Sequence, residues 1–393
     1  MGVRGGGNVT GNVTGNATGV RVAGVGLHPF GRFDGVTGTQ MGVVAVRAAL
    51  EEAGITARDV QAAYCGTAYG GVASGHRVLG PLAGTGIPIY DVEAGCASGG
   101  AALQLGAQAI RSGQCDRVLV FGVEKMPKGV IRSSFFAPWQ EAAGLNPAPA
   151  FFALRAQRLL DDAELTVEHL AQVVVKNRAH GVHNPDAMFR KAVTVDEVLA
   201  SKMICPPLNL FMLCSPNEGA AAVVLARDDL APDGVTVAGV SLRSHLPGNV
   251  LGEDSPLCGI DDTAITPPTA LAAQDAYAQA GIGPEDVDVV ECQDTDAARE
   301  LLAWAELGIC AAGDQAAVLA DGSAMVGGAV PINPSGGLLS KGEPLGASAL
   351  GQVVELVRQL RGQAGARQVE GARVALAHVI GRGANACVTV LMR

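Results

Sequence analysis

Residues 51–65, EEAGITARDVQAAYC, have a second version later in the chain at residues 278–292, AQAGIGPEDVDVVEC. In both stretches a helical pattern stops at an Ala-Gly pair, and glycine is typical of the position after a helix. A charged turn follows, and then a short apolar run typical of a buried strand. The repetition of helix, turn and strand in the same order predicts an internally duplicated fold.

Two further pairs of segments flank these stretches and keep their order. The strand-like segments are RVAGVGL and RVLVFGV, at 21–27 and 117–123, and their counterparts are TVAGVSL and RVALAHV, at 236–242 and 373–379. The distance between counterparts grows along the chain, as expected for a duplicated unit with different loop insertions. Strands that alternate with helices predict sheets covered by helices on both faces.

We therefore predict an α/β protein of two βαβαβ halves, at residues 20–228 and 229–393, with the sheets sandwiched between helices. The N-terminal half contains an insertion at about 126–212 with helical segments of its own, and an insertion of that length is expected to form a loop domain that caps a site. Residues 1–19 contain GNVTGNVTGNATG, a Gly/Asn/Thr repeat that predicts a flexible leader.

Composition and charge argue against several classes of function. The net charge is −10 and the sequence has no cluster of Lys and Arg, which disfavours nucleic acid as a partner. No apolar run approaches the ~18–20 residues that span a bilayer, and the N-terminus has no apolar signal-peptide core, so we expect a cytoplasmic protein without membrane contact. The nine cysteines form no CxxC pair, which disfavours a disulfide framework and a zinc or other metal site.

Cys96 is the cysteine whose surroundings suggest chemistry. It lies in GCASGGAALQLGAQAI, where a helix is predicted to begin directly after it. Unpaired N–H groups at a helix start stabilise a thiolate, and they could form an oxyanion hole for a thioester carbonyl. The other cysteines are expected to be small core residues, as free cysteines usually are. They are Cys65, Cys115, Cys205, Cys214, Cys258, Cys292, Cys310 and Cys387.

Several segments resemble the thiolase superfamily. The segment at 95–110 resembles its nucleophile segment, and NPSGGLLSKGEPLGASAL at 333–350 resembles its N-x-x-G-G…G-H-P-x-G-A-x-G segment. KNRAHGVHNP and the run VTVDEVLASKMICPPLNLFMLCSPNEGAAAVVL, at 176–185 and 193–225, are similar to the lipid-transfer branch, the sterol-carrier-protein-type thiolases. The resemblance covers about 20–393. It implies a thiolase-like fold of two stacked βαβαβ units with a loop domain, and a homodimer paired through the strand near Cys96.

The chain departs from the family's catalytic pattern in three places. Glu343 stands where ordinary thiolases have the His of GHP. His378, in HVIGRG, matches the second catalytic cysteine, at a position where the lipid-transfer branch commonly has histidine. Gln293, in ECQDTDA, corresponds to the Asn of NEAF or the His of HDCF, and Thr295 corresponds to the cysteine of HDCF.

The resemblance implies that Cys96, His378, Glu343 and Gln293 form the catalytic site. Glu343 is either a solvated loop carboxylate or a carboxylate in a partly dry pocket, where a raised pKa would let it act as a base or orient a histidine. We expect Cys96 to be activated by the helix start together with His378, with Glu343 as the carboxylate partner. The alternative for His378 is a core histidine. Gln293 is either a donor to a developing oxyanion or a polar loop residue.

Candidate residues for binding coenzyme A (CoA) come from the insertion and from NPSGG. His180 and His183 are either surface residues at a helix end or contacts to the pantetheine arm or adenine of CoA. Ser335 and Gly336 are the candidates in NPSGG, which lacks the lysine and spacing of a phosphate-binding P-loop. The alternative interpretation of NPSGG is a turn that positions the Glu343 loop.

The leading hypothesis is an acyl-CoA acyltransferase of the thiolase type, which makes or breaks a C–C bond β to a CoA thioester through an acyl group on Cys96. Lipid or steroid-type acyl-CoA is the expected substrate class, and no metal or redox cofactor is required. One alternative is a retro-aldolase that acts on a β-hydroxyacyl-CoA with a small OB-fold partner subunit. The other is a catalytically weak acyl-CoA or lipid carrier. The presence of Cys96 favours the first hypothesis, whereas the missing GHP histidine favours the alternatives.

Overall fold

The computed structural model describes residues 19–82, 86–129, 131, 138–144, 146–246, 265–381 and 385–393. The predicted leader, apart from Gly19, and Cys258 lie outside these residues, as do parts of the insertion at about 126–212.

Nine of the strands in the described residues form one mixed sheet in the order β3-β2-β4-β7-β1-β8-β11-β10-β9, and β5 and β6 form a small antiparallel pair. The strands are β1 (Val20–Gly31), β2 (Ala62–Gly66), β3 (Ile89–Val92), β4 (Arg117–Lys125), β5 (Met203–Cys205), β6 (Leu208–Asn209), β7 (Glu218–Arg227), β8 (Val235–Ser244), β9 (Val289–Glu291), β10 (Val374–Ile380) and β11 (Asn385–Met392).

Helices connect these strands and cover them. They are α1 (Gly38–Glu52), α2 (Ser74–Leu79), α3 (Ser98–Arg111), α4 (Pro138–Ala142), α5 (Ala148–Asp162), α6 (Val167–Gly181), α7 (Val195–Leu199), α8 (Pro268–Ala280), α9 (Ala297–Glu306), α10 (Gln315–Ala320), α11 (Gly337–Lys341) and α12 (Leu345–Leu360).

The predicted duplication is visible in the order and pairing of these elements. Helix α1, a 3-10 turn and β2 in the first half match α8, a 3-10 turn and β9 in the second. Strand β2 pairs in parallel with β4, and β9 pairs in parallel with β10. The halves join where β1 and β8 pair, and this pairing involves only Arg21 with Thr236 and Val22 with Val235. The predicted α/β fold of two related halves is confirmed.

Three apolar clusters divide the molecule into layers. A central cluster contains residues of α3 and α12 together with strand residues of both halves, including Val223 and Ala377. A second cluster lies between α1, α2 and the other face of the first half, and includes Val224. The third lies between α8, α9, the insertion and the other face of the second half, and includes Leu376. Successive strand residues point to opposite faces, so each half is buried on both sides.

The two central helices approach each other closely at their N-terminal ends. A Cβ placed on Gly346, in the first turn of α12, would lie 2.5 Å from the carbonyl oxygen of Gly66 at the end of β2. A Cβ placed on Gly99, in the first turn of α3, would lie 3.0 Å from the carbonyl oxygen of Gly346. A side chain on Gly346 would push α12 away from β2, and a side chain on Gly99 would push α3 away from α12. Glycine therefore brings the segment before α3 and the segment before α12 together.

The insertion packs against the second half. Apolar residues of α5 and α6 in the insertion, such as Leu170 and Val174, share the third cluster with Leu301 and Trp304 of α9. Helix α6 also contacts α11, the short helix that precedes Glu343. Within the described ranges, the helices are all too short or too polar to cross a membrane.

Candidate active site

Cys96 lies between the edge strand β3 and the first turn of α3. Its side chain is buried in the central cluster, with 8% exposure. The Ser98 hydroxyl donates to the carbonyl oxygen of Gly95 at 2.6 Å and accepts from the N–H of Ala94 at 2.9 Å, which fixes the turn around the cysteine. Ala97 occupies the N-cap position and makes no side-chain capping bond. The N–H groups of Ala97 and Ser98 bond to the backbone carbonyls of Ala94 and Gly95, so no side chain at the N-cap competes with a negative charge at Cys96 for the positive end of the helix.

Glu343 lies in the short connection between α11 and α12, and its backbone is bound on both sides. Its N–H donates to the carbonyl oxygen of Ser215 at 2.8 Å, and its carbonyl oxygen accepts from the N–H of Asn217 at 3.3 Å. Gly342 has a φ of 84°, and a Cβ there would lie 2.0 Å from the Asn217 amide nitrogen. The loop is therefore held firmly against the segment that leads into β7.

The Glu343 carboxylate is buried and is the centre of a small polar cluster. Its Oε1 accepts from Nε2 of Gln293 at 2.8 Å, its Oε2 accepts from the Cys214 thiol at 3.3 Å, and the Cys96 thiol also hydrogen-bonds to it. Burial raises the pKa of Glu343 above its usual value, although the hydrogen bonds from Cys96, Cys214 and Gln293 oppose the rise. Of the two interpretations of Glu343, the geometry supports the dry carboxylate and not the solvated one.

Gln293 orients this carboxylate. Its Oε1 accepts from the backbone N–H of Ile380, at the end of β10, while its Nε2 donates to Glu343. The side chain is fully buried. The two partners fix which end of the amide is which, because only the nitrogen can donate. The contact with Glu343 engages one of the two N–H groups of the amide and favours a positioning role for Gln293.

The structure does not bring His378 into contact with Cys96 or Glu343 among the described residues. Its Nε2 lies 3.0 Å from the hydroxyl of Thr269 on α8. Its strand neighbours Ala377 and Val379 belong to the central cluster that contains Cys96. Because strand residues alternate between faces, His378 points to the opposite, outer face. The expected activation of Cys96 by His378 therefore has no contact to support it.

The environment of His378 also keeps the imidazole neutral. Burial lowers the pKa of His378 well below its usual value of 6.5, and the positive charge of Arg299 lowers it further. A neutral histidine bonded to a threonine hydroxyl fits the core interpretation better than the catalytic one.

The histidines of the insertion differ from each other. His180 is buried, its Nδ1 lies 3.0 Å from the carbonyl oxygen of Asn333, and its Nε2 accepts from the N–H of Val326 at 3.2 Å. Burial, with a smaller contribution from the charge of Lys176, lowers the pKa of His180 to about 3. Both ring nitrogens are occupied by the protein, which leaves none for CoA. His183 is exposed and stays a candidate contact.

Ser335 and Gly336 serve the internal structure. The Ser335 hydroxyl donates to Glu291 at 2.6 Å, its N–H donates to the same carboxylate at 2.9 Å, and the residue is fully buried. Gly336 has a φ of 92°, and a Cβ there would lie 2.7 Å from Cα of Gly181. These contacts support the interpretation of NPSGG as a turn that positions the Glu343 loop, and they do not support a role in CoA binding.

A buried polar network, which the sequence did not indicate, supports the same loop. Asp294 accepts from the backbone N–H groups of Leu338 and Leu339 at 2.6 and 3.1 Å, and its other neighbour is the Asn177 amide at 2.8 Å. Lys176 pairs with Glu300 at 2.8 Å in this network. Burial, followed by the charge of Glu300, raises the pKa of Asp294 well above its usual value. The network connects α6 of the insertion to α9 and α11.

Cys214 is the site residue that sequence reasoning missed, since it was expected to be a core cysteine. It lies just before β7, and its N–H donates to the carbonyl oxygen of Thr295 at 2.9 Å. Its neighbour Leu213 forms a bridge with Asp296, and Pro216 forms a bridge with Glu343. The segment thus runs between the Gln293 loop and the Glu343 loop. Over the ranges described, no cluster of three or more His, Cys, Asp and Glu side chains could hold a metal ion.

Family models match both halves of the chain. Residues 20–229 match the thiolase N-terminal domain, and residues 257–393 match the thiolase C-terminal domain-like family. An acetyl-CoA acetyltransferase of Methanothermobacter thermautotrophicus is 37% identical over 387 residues, which cover 95% of this chain and 99% of that protein. Sterol carrier protein 2 of Bos taurus is 36% identical over 367 residues, which cover 87% of this chain and 66% of that longer protein.

A solved structure described as "Ltp2-ChsH2(DUF35) aldolase" superposes with a TM-score of 0.82 and is 25% identical, with 95% of this chain and 97% of that chain covered. The family domains together span both halves of the duplicated fold, and the relatives include an acetyl-CoA acetyltransferase, a sterol carrier protein and a protein named non-specific lipid-transfer protein-like 2. The chain belongs to the thiolase family.

Proposed function

We propose that the protein is an acyl-CoA acyltransferase that makes or breaks a C–C bond β to a CoA thioester through an acyl group on Cys96. The observation that carries the proposal is the convergence of Cys96, at the start of α3, with the buried carboxylate of Glu343. A nucleophile needs a proton acceptor in contact with it, and a carboxylate whose pKa is raised by burial is a competent one.

The acylation step follows from this geometry. Glu343 takes the proton of the Cys96 thiol, and the thiolate attacks the carbonyl carbon of the acyl-CoA. The negative charge that develops on the carbonyl oxygen is stabilised by the positive end of α3. When the tetrahedral intermediate collapses, the C–S bond to CoA breaks and the leaving thiolate receives the proton from Glu343.

The second half-reaction joins the acyl group to a carbon nucleophile. A base in the site takes a proton from the α carbon of a second acyl-CoA, and the resulting carbanion attacks the acyl group on Cys96. The C–S bond to Cys96 breaks, the Cys96 thiolate takes up the proton that the base received, and a 3-oxoacyl-CoA is released. The reverse sequence cleaves a 3-oxoacyl-CoA. The acyl group is of the lipid or steroid type in this proposal, in keeping with the relative named sterol carrier protein 2.

A homodimer paired through β3, with a cytoplasmic location, is part of the same proposal. Among the strands of the described residues, β3 is at the edge of the nine-stranded sheet and pairs with β2 alone. An edge strand offers unpaired backbone groups to a second chain. Tyr90 on this strand has 46% exposure, although its ring stacks on that of Tyr64. Pairing of two copies would bring both Cys96 segments close to the interface.

A second candidate function is carbon–carbon cleavage of a β-hydroxyacyl-CoA by a lyase that works with a partner subunit. It is favoured by the likeness to the structure described as an aldolase and by the absence of the family's GHP histidine. The buried Glu343 could then take the proton of the substrate hydroxyl, with Cys96 as a neighbour and not as a nucleophile. The acyltransferase is preferred because Cys96 keeps its place at an uncapped helix start.

Intact-protein mass spectrometry after mixing with a panel of acyl-CoAs distinguishes the two functions. The acyltransferase proposal predicts a mass increase equal to one acyl group, which is absent in Cys96→Ala. Cys115→Ala is the matched control, because Cys115 is also buried in the central cluster but lies beyond the other end of α3. If β-hydroxyacyl-CoA is cleaved while no acyl-CoA modifies the protein, the lyase is correct and the acyltransferase is not.

A further inference from the structure

We propose that Cys214 carries the proton to and from the substrate α carbon, and that Glu343 connects it to Cys96 in one proton relay. This inference rests on the proposed acyltransferase function and assigns a residue to its carbon-acid step. The observation behind it is that two thiols share one buried carboxylate.

The contacts define the order of the relay. The Cys214 thiol donates to Oε2 of Glu343 at 3.3 Å, and the Cys96 thiol hydrogen-bonds to the same carboxylate. Oε1 is occupied by Gln293 at 2.8 Å, so the carboxylate cannot rotate freely. A proton that leaves Cys96 for Glu343 is therefore one hydrogen bond away from the Cys214 sulfur.

Backbone hydrogen bonds fix the segment that carries Cys214. The N–H of Cys214 donates to the carbonyl oxygen of Thr295, and the next residues, Ser215 and Asn217, bond to the backbone of Glu343 at 2.8 and 3.3 Å. Relay groups need fixed geometry because proton transfer requires hydrogen-bond distance. The three backbone bonds provide it.

The electrostatic setting makes Cys214 an acid and not a second nucleophile. Burial raises the pKa of Cys214 well above its usual value, and the negative charge of Glu343 and the hydrogen bond to it raise the pKa further. The resting group is therefore a thiol that holds a proton beside the carboxylate. Cys96 differs, because the positive helix start of α3 stabilises its thiolate.

Neighbouring groups are less suited to the task. Gln293 does not release a proton at physiological pH. Thr295, at the position of the family's HDCF cysteine, donates its hydroxyl to Asp296 at 3.3 Å. His378 points to the outer face of the sheet and bonds to Thr269. Among the described side chains that hydrogen-bond to Glu343, Cys214 is the acid left once Cys96 is acylated.

The protons balance over the cleavage of a 3-oxoacyl-CoA. Glu343 takes the Cys96 proton, and the thiolate adds to the 3-oxo carbon. The bond between the α carbon and that carbon breaks, and its electron pair stays on the α carbon. Cys214 gives its proton to the α carbon, and Glu343 returns the first proton to the Cys214 sulfur. Acyl-Cys96 and a shortened acyl-CoA result, with Glu343 ionised and Cys214 protonated as at the start. Condensation uses the same steps in reverse.

Two measurements on one set of variants test the relay. Acylation of Cys96 by acetyl-CoA involves no carbon acid, whereas exchange of the acetyl-CoA methyl protons in heavy water does. We expect Cys214→Ala still to form acyl-Cys96, with the pH dependence of acylation moved to higher pH because Glu343 loses a hydrogen bond. The same variant should lose proton exchange by about 10²–10⁴, the usual size of a general acid–base contribution. Cys214→Ser, which preserves size and hydrogen bonding, should fold as the wild type does and also lose exchange, because a hydroxyl is a much weaker acid.

Cys65→Ala is the matched control. Burial and the charge of Asp91 raise the pKa of Cys65 well above its usual value, so Cys65 is also a buried thiol beside carboxylates. It lies in the second apolar cluster, between α1, α2 and the first half of the sheet, and not in the central cluster. Its exchange rate should be that of the wild type. Wild-type exchange in both Cys214 variants would overturn the relay while the acyltransferase proposal stands. A wild-type protein that forms no acyl-Cys96 would overturn both.

Discussion

Helix α3 begins after Cys96 in the first half of the chain, and helix α12 begins after Glu343 and Pro344 in the second half. Both lie in the central layer, and both precede strands that the duplication relates, β4 and β10. Neither N-cap residue, Ala97 or Pro344, makes a side-chain capping bond. The two halves therefore present equivalent helix starts to one shared site.

The two helix starts differ in what neutralises them. The start of α12 is covered by Glu124 of β4, whose carboxylate accepts from the N–H of Gly346 at 3.1 Å and from those of Ala68 and Tyr69 at 2.8 and 3.0 Å. The start of α3 has no such side-chain cap. Only α3 offers its positive end to a thiolate or an oxyanion, while the α12 end supplies a base. The helix start that is duplicated in the two halves thus has two roles in the proposed reaction: at α3 it stabilises negative charge, and at α12 it carries the base.

Removal of the nucleophile should have the largest effect. Cys96→Ala should lower cleavage of a 3-oxoacyl-CoA by CoA by at least about 10⁴, since the other nucleophile type at the α3 start, the Ser98 hydroxyl, is engaged by Gly95 and Ala94. The rate of cleavage is measured as the loss of absorbance of the 3-oxoacyl-CoA. Cys115→Ala should retain wild-type activity, and equal losses in both variants would mean that the two positions matter only for folding.

Loss of the donor to Glu343 should have a smaller effect with a defined sign. Gln293→Ala removes a hydrogen bond to the ionised carboxylate, of a kind worth about 1.5–3 kcal/mol, so the pKa of Glu343 should rise further. In a plot of the Cys96 acylation rate against pH, the ascending limb should therefore move to higher pH. Gln315→Ala removes a buried glutamine that bonds to Leu301 instead, and it should leave the limb in place. An unmoved limb in Gln293→Ala would exclude the positioning role.

Substitution of His378 should have the smallest effect on Cys96. His378→Gln should change acylation by less than about two-fold, because the imidazole bonds to Thr269 on the outer face. A loss of acylation comparable to that expected for Cys96→Ala would restore His378 to the catalytic site.

The same variant should alter the response to acid. The pKa of His378 in the folded protein lies well below 6.5 because of burial, so the unfolded chain binds a proton between pH 6.5 and that lower value while the folded chain does not. Unfolding free energy should therefore fall with decreasing pH, by up to about 1.4 kcal/mol per pH unit from this group. When the unfolding free energy is measured by urea titration at each pH from 7 to 5, it should fall less steeply with decreasing pH in His378→Gln than in the wild type.

The fold could be predicted because local sequence patterns, short apolar strands and helices that end at glycine, indicate the duplication. The pairing of Arg21 with Thr236 even joins the first residues of two matched segments. The proximity of Cys96 and Glu343 could be expected only from the family resemblance, since nothing local to either residue indicates it. Their contact depends on the glycines that let α3 and α12 approach.

The remaining features depend on tertiary information that a local pattern does not contain. Cys214 lies 129 residues from its partner Glu343, and a cysteine before a strand is usually a core residue. The direction of His378 is decided by strand register, in which a shift of one residue reverses the face. His180 resembles an exposed helix-end residue in sequence, but α6 packs against the NPSGG turn and buries it.

The central claim is that Glu343 is the proton acceptor for Cys96, and the rate of Cys96 acylation in Glu343→Gln tests it most directly. The matched control is Glu124→Gln, since burial also raises the pKa of Glu124 but that carboxylate covers the start of α12. Acylation followed by mass spectrometry from pH 6 to 9 should be slower by about 10²–10⁴ in Glu343→Gln and much less affected in Glu124→Gln. Wild-type rates in Glu343→Gln across this range would contradict the claim.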